Sequence, residues 1–192
     1  MLRDASFYEN QEFSDQNFTQ RDWQGAEFQQ CQFVRCDFSY SDFQESTIED
    51  CVFTGCNFSM ANFSDLSLQG VVFRDCKITG VDFSVCNPFG LNLGFENSVL
   101  DYCSFFQIKI PRTKFKGCSL REVDFSNADL SEADFSEANL AGATFAQTKL
   151  VKANLRTAQN FAIDPENNQI KQAKFSALDL AGLLYKYDLD LS

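Results

Sequence analysis

Histidine is absent from all 192 residues. That removes His-based nucleophile triads, histidine acid–base work and histidine metal ligation together. No phosphate-cradling loop and no G-x-G-x-x-G run occurs, so the common nucleotide-binding signatures are missing. No apolar stretch approaches the length needed to cross a bilayer. Met1 to Asn10 carries Arg3, Asp4 and Glu9 without an apolar run, so no signal peptide is expected and the chain is placed in the cytoplasm. Positive charge is scarce: 16 Lys and Arg stand against 27 Asp and Glu, for a net charge of −11. Phosphate and anionic lipid headgroups are poor partners for such a surface, whereas a cationic protein is its natural complement. The deficit is uneven, and residues 1–75 alone hold 13 acidic and 4 basic side chains.

Phenylalanine is abundant, with 22 copies against a single Trp. Reading every fifth residue from Phe13 gives Phe18, Trp23, Phe28, Phe33, Phe38, Phe43, Ile48, Phe53, Phe58, Phe63, Leu68, Phe73, Ile78 and Phe83. A second series runs from Leu100 through Phe105, Ile110, Phe115, Leu120, Phe125, Leu130, Phe135, Leu140, Phe145 and Leu150 to Leu155. On an α-helix, steps of five drift about 140° each and scatter the rings around the axis. In a flat strand an odd period sends successive rings to opposite faces. One shared core requires the chain to turn a corner about every five residues, as in a solenoid. Carboxylates on such a convex rod stay in water without the burial that tunes a catalytic pKa, so an enzyme is not expected.

Two places before each large residue stands a small one: Ala26, Cys31, Cys36, Ser41, Ser46, Cys51, Cys56 and Ala61, later Ala128, Ala133, Ala138, Ala143 and Ala153. All eight cysteines occupy this place. Zinc ligation by the Cys-x4-Cys pairs competes with a filler role in which every thiol is buried, reduced and inert.

The unit small–polar–large–polar–polar, as in Ala128-Asp129-Leu130-Ser131-Glu132, resembles the pentapeptide-repeat family over about four-fifths of the chain. The resemblance implies an all-β solenoid, a right-handed quadrilateral β-helix with 20 residues per coil, without cofactor or metal. Charge offers an independent check. Stacking at 20 aligns Lys109, Asp129 and Lys149, aligns Arg112, Glu132 and Lys152, and sets Lys114 over Asp134. Opposite signs alternate, as cross-strand neighbours should. A 15-residue coil would also pair Lys114 with Asp129, but the two three-membered columns favour 20.

The chain divides into an N-terminal cap (1–11), a first stack (12–85), a phase break (86–97), a second stack (98–157), and a degenerate coil with a C-terminal helix (158–192). Pro88 stands where a large residue was due, and Asn87-Pro88-Phe89-Gly90 is turn chemistry. The break reads as a bulge or a short extended crossing between stacks, packed through Phe89, Leu91, Leu93 and Phe95. In the tail, Ser176 with Asp179 fits a capping box. Leu180, Leu183, Leu184 and Tyr187 then recur at helical spacing. This helix is expected to cap the rod and to carry a homodimer interface, with Leu178, Ala181, Leu189 and Leu191 available to it. Asp188 to Leu191 alternates like a short strand.

Asp22, Asp42, Asn62 and Asp82 fall in one column, with Glu45 over Asp65 beside it and Glu27, Glu49 and Asp50 on the next face. Like charges placed opposite one another destabilise, so a face that keeps them has either a use or a turn requirement screened by solvent. The stretch Ile163-Asp164-Pro165-Glu166-Asn167-Asn168, with Lys171 to Ser176 and the Leu-rich helix, resembles the end of pentapeptide-repeat proteins that protect DNA gyrase, the albicidin-immunity and quinolone-resistance types. That resemblance implies a dimer through helix-capped ends and an acidic rod that imitates duplex DNA on a type II topoisomerase, DNA gyrase or topoisomerase IV. Asp22, Asp42, Glu45, Asp65 and Asp82 would form the partner-binding face. The chain departs from the quinolone type in lacking obvious projecting loops. The alternative is a non-catalytic scaffold or adaptor that binds another protein through its ladder faces.

Overall fold

The computed structural model describes residues 6–187, 189 and 190. In chain order the strands are β1 (Phe7–Glu9), β2 (Glu12–Ser14), β3 (Glu27–Gln29), β4 (Gln32–Val34), β5 (Thr47–Glu49) and β6 (Val52–Thr54). They continue as β7 (Ser67–Gln69), β8 (Val71–Arg74), β9 (Leu93–Glu96), β10 (Phe115–Lys116), β11 (Asn154–Leu155) and β12 (Lys174–Phe175). A one-turn helix α1 (Ala181–Leu184) and a 3-10 turn (Tyr185–Tyr187) follow. The whole is a four-sided β-solenoid of about eight turns.

The fold is built from corners. At nearly every fifth residue the backbone takes a positive φ of about 50–70°, at Asn10, Asp15, Gln20 and Gly25 in the first coil and at matching places above. Each corner turns the chain onto the next face. After four faces every residue lies above its counterpart and pairs with it in parallel, Phe13 with Phe33 and Phe33 with Phe53. The first face holds β1, β3, β5 and β7; the second holds β2, β4, β6, β8, β9 and β10. The third and fourth faces are columns of single bridges, such as Asn17–Asp37–Asn57 and Asp22–Asp42–Asn62.

This register forces the core. Phe33 and Phe58 are buried, as the five-residue period requires. Along one face rings stack in parallel, with Phe33 and Phe53 4.6 Å apart and 9° between planes. Around a coil they meet edge-on, Phe53 and Phe58 at 5.0 Å and 83°. Both are the geometries that the ring quadrupole favours.

The small inward position has a second duty. Ser41 Oγ donates to the carbonyl of Phe18 (2.6 Å), Ser46 Oγ to that of Trp23 (2.7 Å) and Thr148 Oγ1 to that of Phe125 (2.8 Å). Cys36, Cys51, Cys56 and Cys76 reach the equivalent carbonyls at 3.4–3.6 Å. A small donor here bonds to the large residue of the coil below, which is why Cys, Ser and Thr alternate with Ala. All eight thiols are free and buried. Burial pushes Cys51, Cys86, Cys103 and Cys118 up to about 12, which leaves almost no thiolate at neutral pH. Among the described residues no group of three or more Cys, Asp or Glu is placed to hold a metal ion.

At the phase break the chain carries two extra residues. Asn87 still donates to Leu66 in the ordinary register, but Val71 pairs with Leu93 and Phe73 with Phe95. The insertion is therefore confined to the first face, between Asn87 and Leu93. The second-face sheet runs through it from β8 to β9 to β10. Phe95 stacks on Phe73 and Phe115, so the rod is one continuous stack rather than two joined by a crossing. Leu93 and Phe95 are buried and Leu91 packs partly against the core, whereas Phe89 is 82% exposed. The expected packing of Phe89 does not occur, because the extra residues bow outward behind Pro88. Asn87 Oδ1 closes that turn by accepting the Phe89 N–H (3.0 Å).

One buried charge ties two coils together. The Asp101 side chain is only 4% exposed. It accepts from Ser119 Oγ (2.6 Å) and from the backbone N–H, Nε and Nη2 of Arg121 (3.1, 2.9 and 2.6 Å). Burial alone would raise this carboxyl, but the Arg121 and Ser119 hydrogen bonds outweigh it and hold it below its usual range. A depressed folded pKa stabilises fully above the unfolded value, about 3.9, and that contribution is lost as pH falls through the folded value. Asp101→Asn should cost about 1.5–3 kcal/mol at neutral pH. Its loss of stability on acidification should be shallower than that of the unmodified chain, as followed by urea unfolding at a series of pH values.

Candidate protein-interaction site

The fourth face is where the acidic column lies. Bridges join Asp22 to Asp42 and Asp42 to Asn62, then Asp82 to Ser104, Ser104 to Asp124 and Asp124 to Thr144. Each acid or amide does local work. The Oδ1 atoms of Asp22, Asp42, Asn62, Asp82 and Asp124 accept the N–H two residues ahead at 2.8–3.1 Å. This is an Asx turn, which shapes the approach to the next corner. It needs the side-chain oxygen and not the charge: Asn62 makes the same bond and donates its Nδ2 to Asp42 Oδ1 (2.9 Å).

Of the residues picked from sequence, the fold brings Asp22, Asp42 and Asp82 onto this face. Glu45 and Asp65 sit on its edge, at corners with φ of 58° and 54°. Glu27 and Glu49 lie on the first face, in β3 and β5, and Asp50 at its far corner. Counting by 20 missed Asp124, because the two extra residues displace it from the arithmetic while leaving it in the column. Lys and Arg pair elsewhere: Arg35 with Asp15 (2.6 Å), Arg74 with Glu96 (3.2 Å), Arg112 with Glu132 (3.4 Å) and Lys149 with Asp129 (3.4 Å). The Lys109–Asp129–Lys149 and Lys114–Asp134 columns form as bridges. Among the described residues no ion pair joins Asp42, Glu45, Asp65, Asp82 or Asp124 to a Lys or Arg.

The tail packs across the last coil. Gly182 lies flat on Phe161, where a Cβ would meet the Phe161 carbonyl oxygen and come within 2.7 Å of its ring. The Gly182 carbonyl accepts the Ile163 N–H (2.9 Å). Lys186 Nζ bonds Asp164 (2.8 Å) and Glu166 (2.6 Å), and both raise its pKa; Tyr187 Oη donates to Glu166 (3.0 Å). Leu183 turns toward the core, whereas Leu180, Leu184 and Tyr187 face outward with Leu178, Tyr185 and Leu189. The expected capping box is replaced by a tighter turn: Ser176 Oγ accepts the Leu178 N–H (3.1 Å), and the first helical turn has no side-chain cap. Asp188 and Leu191, half of the expected terminal strand, lie outside the described residues.

Two family models match the chain, one described as a pentapeptide repeat region over residues 26–93 and one as pentapeptide repeats (8 copies) over 118–156. A search of curated proteins finds no match. Solved structures are similar throughout the length. A trypsin-treated variant of QnrB1, a plasmid-mediated fluoroquinolone resistance protein, is 20% identical, with 97% of this chain and 92% of that chain covered and a TM-score of 0.63. A second trypsin-treated QnrB1 variant is 18% identical, with 98% of each chain covered and a TM-score of 0.65. At this identity the likeness is one of fold.

The close approach at Gly182 generates a test of the cap. Gly182→Ala should push the helix off Phe161 and cost about 1–3 kcal/mol, the usual range for overpacking. Limited proteolysis should then trim the tail after Ala173 faster than in the unmodified chain, while the stacked-ring circular dichroism of the rod is retained.

Proposed function

Because the chain belongs to the pentapeptide-repeat family, we propose that it acts without catalysis, in the cytoplasm, as a DNA-like acidic rod on a type II topoisomerase, protecting that enzyme from poisons. One observation carries this reading. The fourth-face column keeps carboxylates at Asp22, Asp42, Asp82 and Asp124 although its turns require only an amide oxygen. The column also stays in line across the insertion, so it extends about 24 Å at about 4.8 Å per coil. Over the six coils from Asp22 to Asp124 the column carries four carboxylates, with Asn62 and Ser104 between them, a sparser spacing than the 3.4 Å rise per phosphate along a DNA strand. A groove built to bind phosphates would meet this edge, with Glu45 and Asp65 beside it, through the same long-range attraction. The fold likeness to fluoroquinolone resistance proteins points the same way.

The reading includes a homodimer through the outward apolar residues of the tail, Leu180, Leu184 and Tyr187, which would lengthen the acidic rod. Sedimentation well above micromolar concentration should give a dimer, and Leu180→Glu with Leu184→Glu should give a monomer of unchanged coil structure. A monomeric unmodified chain would remove this part.

The functional test is supercoiling and drug-stabilised cleavage by DNA gyrase with added purified protein. Asp42→Asn, Asp82→Asn and Asp124→Asn together preserve every Asx turn, so stability should stay within about 0.5 kcal/mol. The effect on gyrase should weaken and its salt dependence flatten. If a large molar excess of the unmodified protein alters neither reaction, the mimic gives way to the scaffold or adaptor.

A further inference from the structure

The left-handed corners follow a rule with three exceptions. Among the described residues they are filled by Gly, Asn, Asp, Gln, Glu, Arg or Lys, save at Tyr40 (φ 59°), Met60 (φ 59°) and Tyr102 (φ 63°). Bulky side chains at positive φ are unfavourable, and such residues cluster where function holds them. All three stand on one edge of the rod, the corner between the third and fourth faces, in the second, third and fifth coils. The fourth coil places Gly80 there (φ 71°), and Met60 Sδ lies 2.6 Å from where a Cβ of residue 80 would be. Met60 therefore leans across the gap, and the three make a ridge about 15 Å long over four coils. None contributes to the core: they are 61%, 56% and 63% exposed.

The ridge borders the fourth-face column over four coils, because each corner residue precedes a column position by two: Tyr40 before Asp42, Met60 before Asn62, Gly80 before Asp82 and Tyr102 before Ser104. We infer that Tyr40, Met60 and Tyr102 are a docking ridge for a protein whose apolar side chains are set among Lys and Arg, engaged together with the acidic face. The inference deepens the reading above and rests on it for the positive charge of the partner. Nucleic acid is repelled by the carboxylates beside the ridge. A second copy of this chain would bring one acidic column against another. Tyr and Met are enriched in interface centres, and Tyr among the residues that dominate binding energy. Carboxylates alone attract any basic surface; an apolar ridge fixed beside them selects among such surfaces.

The variant Tyr40→Asn, Met60→Asn, Tyr102→Asn separates this role from a structural one, because Asn adopts the left-handed corner readily. Thermal stability should be unchanged or higher, whereas binding to DNA gyrase holoenzyme should fall at least tenfold with the slope of affinity against salt retained. The Asp→Asn triple variant should instead flatten that slope. Lower stability of the ridge variant, or gyrase binding equal to that of the unmodified chain, overturns the ridge and leaves the topoisomerase reading standing. If the unmodified chain fails to bind gyrase, that reading falls and the ridge is judged on two helical peptides of equal charge, one Lys/Leu and one Lys/Ala. Tighter binding of the Lys/Leu peptide, lost in the ridge variant, supports the ridge; equal binding of the two peptides overturns it.

Discussion

Parallel stacking of each residue on its own counterpart one coil away is the constraint from which the remaining features follow. The peptide N–H and C=O groups of a coil bond to the coils above and below, as in Phe18 N to Asp37 O and Asp37 N to Gln16 O. That ladder satisfies the backbone only if the coil closes on itself with a fixed residue count. Closure in turn demands a corner every five residues, and a corner demands positive φ. Side chains then have little freedom of placement. A ring must lie over a ring, a small donor over the carbonyl of the large residue below, and an Asp over an Asp.

Repetition of this kind turns single-residue properties into properties of columns. A stack of Phe rings becomes a continuous core. A Cys or Ser at the small position becomes a line of hydrogen bonds running up the rod. Lys109, Asp129 and Lys149 become a backbone column in which Lys149 pairs with Asp129, a contact worth little because exposed pairs contribute about 0–1 kcal/mol. An acidic column is the unfavourable member of the set. Asp22 and Asp42 stack as like charges, whereas Asn62 and Ser104 separate the remaining carboxylates; the turns do not need the charge, and the column lies beside bulky residues held at strained corners.

The ends obey a different requirement. Each coil in a solenoid is supported by its neighbours alone, so a terminal coil needs a cover. Here α1 is too short to be stable in isolation. It holds its place through Gly182 on Phe161, Leu183 against the core and Lys186 between Asp164 and Glu166. The apolar side chains left over after that contact face outward.

By itself the order of residues determined the inward series of rings, the small filler position with its cysteines, the 20-residue coil and the acidic column at Asp22, Asp42 and Asp82. Each repeats at a fixed interval, and periodicity survives without knowledge of where any atom lies. The tertiary structure alone decided what periodicity does not encode. Two surplus residues near Pro88 are visible as a count, but only the pairing of Val71 with Leu93 puts them on one face. That placement returns Phe95 to its column, leaves Phe89 in solvent and carries the acidic line on to Asp124. Helical spacing in the tail fits either orientation, and packing on the last coil turned Leu183 in and Leu180 and Leu184 out. Tyr40, Met60 and Tyr102 are scattered in the chain; the coil closure that sets them on one corner brings them together.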